Sequence, residues 1–504
     1  MTTGDLLTLS PLIALTLTPV IVMLAAAFKR SHWLALALTL VGLAAAGGLL
    51  AVSAGRSPRQ VTPLLSFDTY ALFFAGLIIA ATAVVAVLSW GYLQKRRVHP
   101  EEYYVLLLTA ALGSVTLAAS THFASFFLGL EILSVSLYAL IVYPLHREQY
   151  VEAAIKYLVL AGSTSAFLVF GMALVYAETG TMTASGLAPL IAAGLGASSP
   201  VLALGVVLIL VGVGFKLAVV PFHMWTPDVY QGAPAPVTAF IATVSKGAVV
   251  ALLLRYFRPV SLHPGSTLFL VFAGVAIASM AAGNLLALRQ DNVKRILAYS
   301  SIAHLGYLLV AFLATGERAA TAVTFYLVAY FATSLAAFGV VTVLSTPARD
   351  ADRLDDYRGL ARRRRWTAVA FTIALLSLAG MPLTMGFIGK FYVLTAGAGS
   401  ALWALVIVLV VTSTIGLYYY TRVIVAMWVQ KPAEEAAGAR PLPGAAGSGT
   451  QSVGTAIAGP SVAGATIPAV SGVMLAALTA FVLVFGVYPT PLIHLIERAV
   501  STLP

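Results

Sequence analysis

The chain has 504 residues, 60% of them hydrophobic and only 9% charged, with a formal net charge of +11 and a mean hydropathy of +0.96. Soluble globular domains carry about 25% charged residues, so this composition excludes a disordered chain and a water-soluble enzyme and describes an integral membrane protein. With no cysteines there are no thiolate ligands for iron–sulfur clusters and no disulfides; the eight histidines show no metal-ligand spacing, and no phosphate-binding loop or dinucleotide fingerprint occurs.

A helix needs about 20 mainly apolar residues to cross the hydrocarbon core. On that measure fourteen spans are predicted, at 7–28, 33–54, 68–93, 103–120, 122–143, 151–176, 203–226, 234–257, 267–288, 293–313, 318–344, 367–394, 401–429 and 471–489. Residues 432–468, rich in Ala, Gly, Ser and Pro, read as a linker to the last span. The N-terminus lacks a basic segment and a cleavage site, so no removable signal peptide is expected. Lysines and arginines outside the spans divide eighteen to six between the two faces. Positive charge in short loops marks the cytoplasm, so both termini are expected to face outward. The run Arg362 to Arg365 reads as an anchor near lipid phosphates.

Five basic residues fall inside the spans, Lys156, Lys216, Lys246, Lys390 and Arg422, and one acidic residue, Glu131, lies deep in one. A charge at the bilayer centre costs at least about 2.5–3.5 kcal/mol, and such residues usually mark an ion pathway. Snorkelling to the interface accounts for Arg422 and in part for Lys156; it fails for Glu131 and Lys246, half-way along their helices. A lysine can shed its proton when taken out of water and regain it beside a carboxylate, whereas arginine stays protonated. Four lysines and a glutamate are therefore the inventory of a proton relay, against the plainer reading of structural ion pairs.

Two spans are interrupted. The seventh carries VGVGFKLAVVPFHMWTPDVY from Val211, where Pro221 breaks the helix after Lys216 and before His223. The twelfth carries LSLAGMPLTMGFIGKFY from Leu376, with Gly380, Pro382, Gly386 and Gly389 around the break and Lys390 after it. Corresponding interruptions in two halves point to a transport path. Lying five spans apart, they suggest two five-helix units of opposite direction. The fold expected is all-α and polytopic, with about fourteen transmembrane helices: three N-terminal helices (1–100), a first five-helix repeat (101–258), a second, inverted one (259–430), the linker (431–470) and a last helix (471–504).

The stretch PFHMWTPDVYQGAPAPVTAFIATVSKGAVVALLLR from Pro221, with LEILSVSLYAL around Glu131, DNVKRILAYSSIAHLGY from Asp291, DDYRGLARRRRW from Asp355 and LSLAGMPLTMGFIGKFYVL from Leu376, resembles the antiporter-like membrane subunits of respiratory complex I, the proton-pumping NADH:quinone oxidoreductase. The last two segments look most like the N-type subunit, and the absence of a long amphipathic C-terminal helix argues against the L type. The resemblance implies a proton relay through Glu131, Lys156, Lys216, His223, Lys246 and Lys390, with Tyr299 and His304 near the connecting path. His223 and His304 also have plainer readings, as a helix cap and a satisfied core histidine. It also implies that NADH, FMN, iron–sulfur clusters and quinone belong to partner subunits and that this chain holds no cofactor or metal. The partners would be other complex I membrane subunits and the phospholipid bilayer, with no nucleic acid, in the bacterial inner membrane. The rival readings are a homologous subunit of a cation/proton antiporter complex or membrane-bound hydrogenase, an independent solute symporter, and a scaffold without transport.

Overall fold

A computed structural model describes residues 2–96, 98–143, 148–186, 189, 199–257, 262, 264–315, 317–429 and 467–503. Among them thirteen helices are long and apolar enough to cross a membrane. In chain order they begin with α1 (Ser10–Phe28), α2 (His32–Ala54), α3 (Thr69–Gln94), α4 (Pro100–Ala119), α5 (Phe123–Val142) and α6 (Glu148–Thr179). After α7 (Pro200–Leu217) comes a short helix, α8 (Trp225–Gly232), then α9 (Ala235–Phe257), α10 (Thr267–Ala287), α11 (Val293–Leu313) and α12 (Glu317–Leu344). The twelfth predicted span is two half-length helices, α13 (Arg365–Ala379) and α14 (Met385–Gly399), each too short to count among the thirteen. The bundle closes with α15 (Trp403–Trp428), α16 (Ala469–Val487) and a helix not anticipated from the sequence, α17 (Thr490–Val500). Most of the predicted linker lies outside the described residues.

Burial sorts these helices. The apolar windows of α9 and α12 are wholly buried, whereas those of α1 and α2 are only 28% and 22% buried. A helix that is apolar on every side has no polar face for water, so its environment is protein or lipid. Here α12 is the central post, packed against α3, α9, α11, α13, α14 and α16, and α1 and α2 form an apolar periphery.

The two five-helix stretches share a crossing. A Cβ on Gly113 of α4 would lie 2.6 Å from Leu133 N and 2.7 Å from Gly129 O of α5. A Cβ on Gly283 of α10 would lie 2.6 Å from Ala303 N and 2.7 Å from Tyr299 O of α11. Each atom set is shifted by 170 residues (113 to 283, 129 to 299, 133 to 303). Glycine is required at both places because the backbones touch.

Three residues counted with the loop charges, Arg255, Lys294 and Arg96, have buried side chains instead. Arg255, in the last turn of α9, forms a two-pronged ion pair with Asp68 at 2.6 and 2.9 Å, and Asp68 also caps α3 by accepting from Ala71 N. Lys294, in the first turn of α11, bonds Asp350 at 2.9 Å. Asp350 in turn accepts from Arg96 (3.2 Å), the Tyr92 hydroxyl (2.8 Å) and Ala235 N (3.0 Å). That cluster ties the loop after α12 to α3, α9 and α11. Both arginine and lysine reach inward because a carboxylate waits there, which a tally of loop charges does not reveal. A hairpin of two strands, β1 (Arg59–Thr62) and β2 (Leu65–Phe67), also escaped the sequence reading.

Candidate proton-relay site

The first break is built by helix termination. Ala218, in the left-handed region at φ 60°, ends α7, and Val219 N closes back on Gly214 O at 3.1 Å. Carbonyls freed at such an end need partners. The Trp225 indole supplies one by donating to Phe215 O at 3.0 Å, and Val220 N donates to Ser279 Oγ of α10 at 2.9 Å. Lys216 stands in the last turn of α7, where the helix dipole favours a cation. The residue is 2% exposed, and its ammonium donates to Ser134 Oγ (2.6 Å) and the Tyr157 hydroxyl (3.2 Å). Glu131, one turn before Ser134 on α5, accepts from Ser165 Oγ at 2.6 Å. Among the described residues no carboxylate lies within 4 Å of Lys216 Nζ. His223 and Thr226 are buried past the break, and Thr226 Oγ1 has no protein partner among the described residues.

Lys246 follows a single π-helical turn, Ile241–Ser245, within α9. Such turns shift the register of a helix face and are frequent at functional sites. The lysine is 1% exposed, donates to Ser301 Oγ of α11 at 2.6 Å and lies 5.5 Å from the centre of the Tyr230 ring. The Tyr330 hydroxyl of α12 donates to the same serine oxygen at 2.7 Å. Gly247 lets α12 approach: a Cβ there would sit 2.3 Å from the Phe331 ring.

One helical turn beyond Ser301, His304 is held by two phenols, Tyr326 at Nδ1 (2.7 Å) and Tyr420 at Nε2 (3.2 Å), and Tyr420 also bonds Ser300. At the second break Gly380 takes φ 83° to end α13, and Lys390 of α14 reaches back to donate to Ala379 O and to Ser413 Oγ of α15, both at 2.7 Å. Lys390 lies 5.3 Å from the centre of the Tyr307 ring. A side cleft of about 260 Å³, walled by Met381, Phe387, Phe391 and Leu417, reaches this lysine.

The structure thus brings Lys216, Lys246, His304 and Lys390 into the buried bundle and surrounds them with hydroxyls. Lys156 stands apart, 43% exposed and ion-paired with Glu152 (2.7 Å) and Asp228 (3.1 Å). Tyr299 is half-buried, and its side chain makes no hydrogen bond among the described residues. Ser134, Tyr157, Ser301, Tyr330, Tyr326, Tyr420 and Ser413 were missed from sequence. The spacing of Ser300, Ser301, His304 and Tyr307 on one face of α11 was the signal available.

Residues 120–416 match the profile of the "NADH:quinone oxidoreductase/Mrp antiporter, TM" family, more than half of the chain. The chain belongs to this family. It is 51% identical over 509 aligned residues to NADH-quinone oxidoreductase subunit N of Nitrosospira multiformis, covering 98% of this chain and 96% of that one. It is 48% identical to the subunit N of Methylococcus capsulatus, over 85% and 87% of the two chains. A chain in the respiratory complex I of Thermus thermophilus, solved with bound aureothin, superposes with a TM-score of 0.78 at 32% identity, over 97% of this chain and 99% of that one. The all-α, many-helix fold, the membership of an NADH-quinone oxidoreductase and the company of other complex I membrane subunits follow from these likenesses and the apolar helices.

Proposed function

We propose that the chain conducts protons from cytoplasm to periplasm as the N-type subunit of a bacterial inner-membrane NADH-quinone oxidoreductase, through Glu131, Lys216, His223, Lys246, His304 and Lys390. NADH, FMN, iron–sulfur clusters and quinone are handled by partner subunits, and redox energy arrives through them. Lys156 stands at the cytoplasmic margin and Tyr299 beside the path. The even number of predicted spans and the basic loops support termini on the periplasmic side.

One observation carries this reading: three lysines are buried with hydroxyl and carbonyl partners but no carboxylate within ion-pair distance among the described residues. A permanently charged group so placed is left uncompensated at a cost of several kcal/mol. A lysine avoids that cost by releasing its proton, and the serines and tyrosines beside it can both accept and donate. Structural ion pairing, the plainer alternative, needs the missing anions. The relatives of about half identity over most of the chain support the oxidoreductase over an antiporter complex.

The test is Lys246→Ala in the assembled oxidoreductase reconstituted in vesicles. Proton uptake per NADH oxidised is expected to fall by about tenfold or more, a fraction of the roughly 10²–10⁴-fold that a positioned proton-transfer group supplies. Normal assembly with unchanged pumping would leave a scaffold and overturn the relay.

A further inference from the structure

The first two lysines of the relay are not joined directly. Lys216 donates to Tyr157 of α6 and Lys246 to Ser301 of α11, and among the described residues no hydrogen bond links these two groups. Tyr230 of α8 is in reach of both. It is fully buried, and the Lys246 ammonium lies 5.5 Å from the centre of its ring. Its hydroxyl is within electrostatic reach of Ser301 and Tyr330, and of Tyr157 as well. Tyr157, Tyr326, Tyr330 and Tyr420 all have hydrogen-bonded hydroxyls, but the Tyr230 hydroxyl has no such partner among the described residues. A buried hydroxyl left without a partner is costly, and each one in a native core calls for an explanation.

The neighbours show which bonds are open. The Tyr157 oxygen accepts from Lys216, so its own O–H is left to give. Ser301 Oγ accepts from Lys246 and from Tyr330, so both its lone pairs are taken and only its O–H is left. While Lys246 is charged, Ser301 therefore has nothing with which to accept from Tyr230. Release of the Lys246 proton changes that. The neutral amine accepts from the Ser301 O–H, the serine oxygen regains a lone pair, and Tyr230 can donate to it.

We infer that Tyr230 is the transfer residue between Lys216 and Lys246, and that it passes a proton only after Lys246 has released its own. The Lys216 ammonium gives a proton to the Tyr157 oxygen, Tyr157 gives its own to Tyr230, Tyr230 to Ser301, and Ser301 to the Lys246 amine. As many O–H and N–H bonds form as break, every hydroxyl is regenerated, and one positive charge moves from Lys216 to Lys246. The inference rests on the relay reading, but the two fail separately: Lys246→Ala tests the relay and Tyr230→Phe tests the transfer.

The experiment uses the assembled oxidoreductase reconstituted in vesicles and reads proton uptake per NADH oxidised, together with the melting temperature of the purified complex. Tyr230→Phe removes only the hydroxyl and keeps the ring beside Lys246 and beside Phe338 of α12, 5.8 Å away between ring centres. Uptake is expected to fall about tenfold, a fraction of the roughly 10²–10⁴-fold that a positioned proton-transfer group supplies. Melting should stay unchanged, because the hydroxyl has no protein hydrogen bond to lose. Phe338→Leu disturbs the ring but leaves the hydroxyl, and is expected to pump like the unaltered complex. Unaltered pumping in Tyr230→Phe, where Lys246→Ala has lost it, overturns the transfer and leaves the relay standing. A loss in Phe338→Leu as large as that in Tyr230→Phe also overturns it, and so does a Tyr230→Phe complex that melts lower or does not assemble. Either would assign Tyr230 to packing.

Discussion

The two helix breaks place a lysine at the same kind of site by different routes. At the first, Lys216 belongs to the half-helix that ends, in the last turn of α7, and turns to Ser134 and Tyr157 on neighbouring helices. At the second, Lys390 belongs to the half-helix that begins, and reaches back to Ala379 O at the end of α13. Both ammonium groups therefore stand at the negative end of a helix. The surroundings differ. Counting by the shared register of 170 residues, Glu131 and Ser134 of the first unit correspond to Ser301 and His304 of the second. The first unit has a carboxylate where the second has the serine that binds Lys246. The comparison teaches that the C-terminal end of a broken helix is what the two units keep, and that the anion is not.

If release of the proton is what each break performs, Lys216→Arg and Lys390→Arg should both fail, because arginine keeps the charge and cannot let the proton go. NADH-driven proton uptake by the reconstituted complex is expected to drop by about tenfold or more in each. Retained pumping in one variant alone would break the equivalence and assign that lysine a fixed electrostatic role.

Among the described residues, a carboxylate within 4 Å is the feature both breaks lack and the Lys294–Asp350–Arg96 cluster has. Burial alone would push the Asp350 carboxyl up, but Lys294 and Arg96 beside it hold it below the ordinary carboxylate value. A depressed value means that the stabilisation is present above the unfolded carboxylate value, about 3.9, and is lost as pH falls through the lower folded one. Asp350→Asn would leave two buried cations without their anion, at a cost of about 3–5 kcal/mol. Thermal melting of the purified complex should fall accordingly at neutral pH. The difference from the unaltered complex should shrink on acidification below about pH 4. A constant difference across that window would show that the pairing is not what holds the loop.

Such contrasts explain what could be foreseen. Each span is a local property, a long apolar run, so the helices and both breaks were legible in the chain, as were the lysines that stand out against lipid-depth residues. The groups that complete the site were not. Ser301 lies 55 residues from Lys246 and Ser413 lies 23 from Lys390; serine and tyrosine are common in such helices, and only packing decides which of them meet an ammonium. Arg255 and Lys294 misled for the opposite reason: their charge was visible, while Asp68 and Asp350, which draw them inward, come from distant segments.

The breaks also differ in how tightly their halves approach. A Cβ on Gly386 would lie 1.9 Å from Ser377 O, a backbone atom at the end of α13, where the Gly386 N–H already donates to Ser377 Oγ at 3.0 Å. A Cβ on Gly214 would meet the Phe222 ring at 2.9 Å, a side chain that can turn aside. Gly386→Ala must therefore push the two half-helices apart, an overpacking cost of about 1–3 kcal/mol. Gly214→Ala displaces one ring and recovers up to about 1 kcal/mol of helix propensity. Melting temperatures of the purified complex should fall for the first variant and change little for the second. Lys390 should also lose its bond to Ala379 O in the first, so pumping falls along with stability, whereas Lys216 keeps Ser134 and Tyr157 in the second. Equal melting losses would mean that the first break is packed as rigidly as the second, and the contrast between a flexible and a fixed junction would be gone.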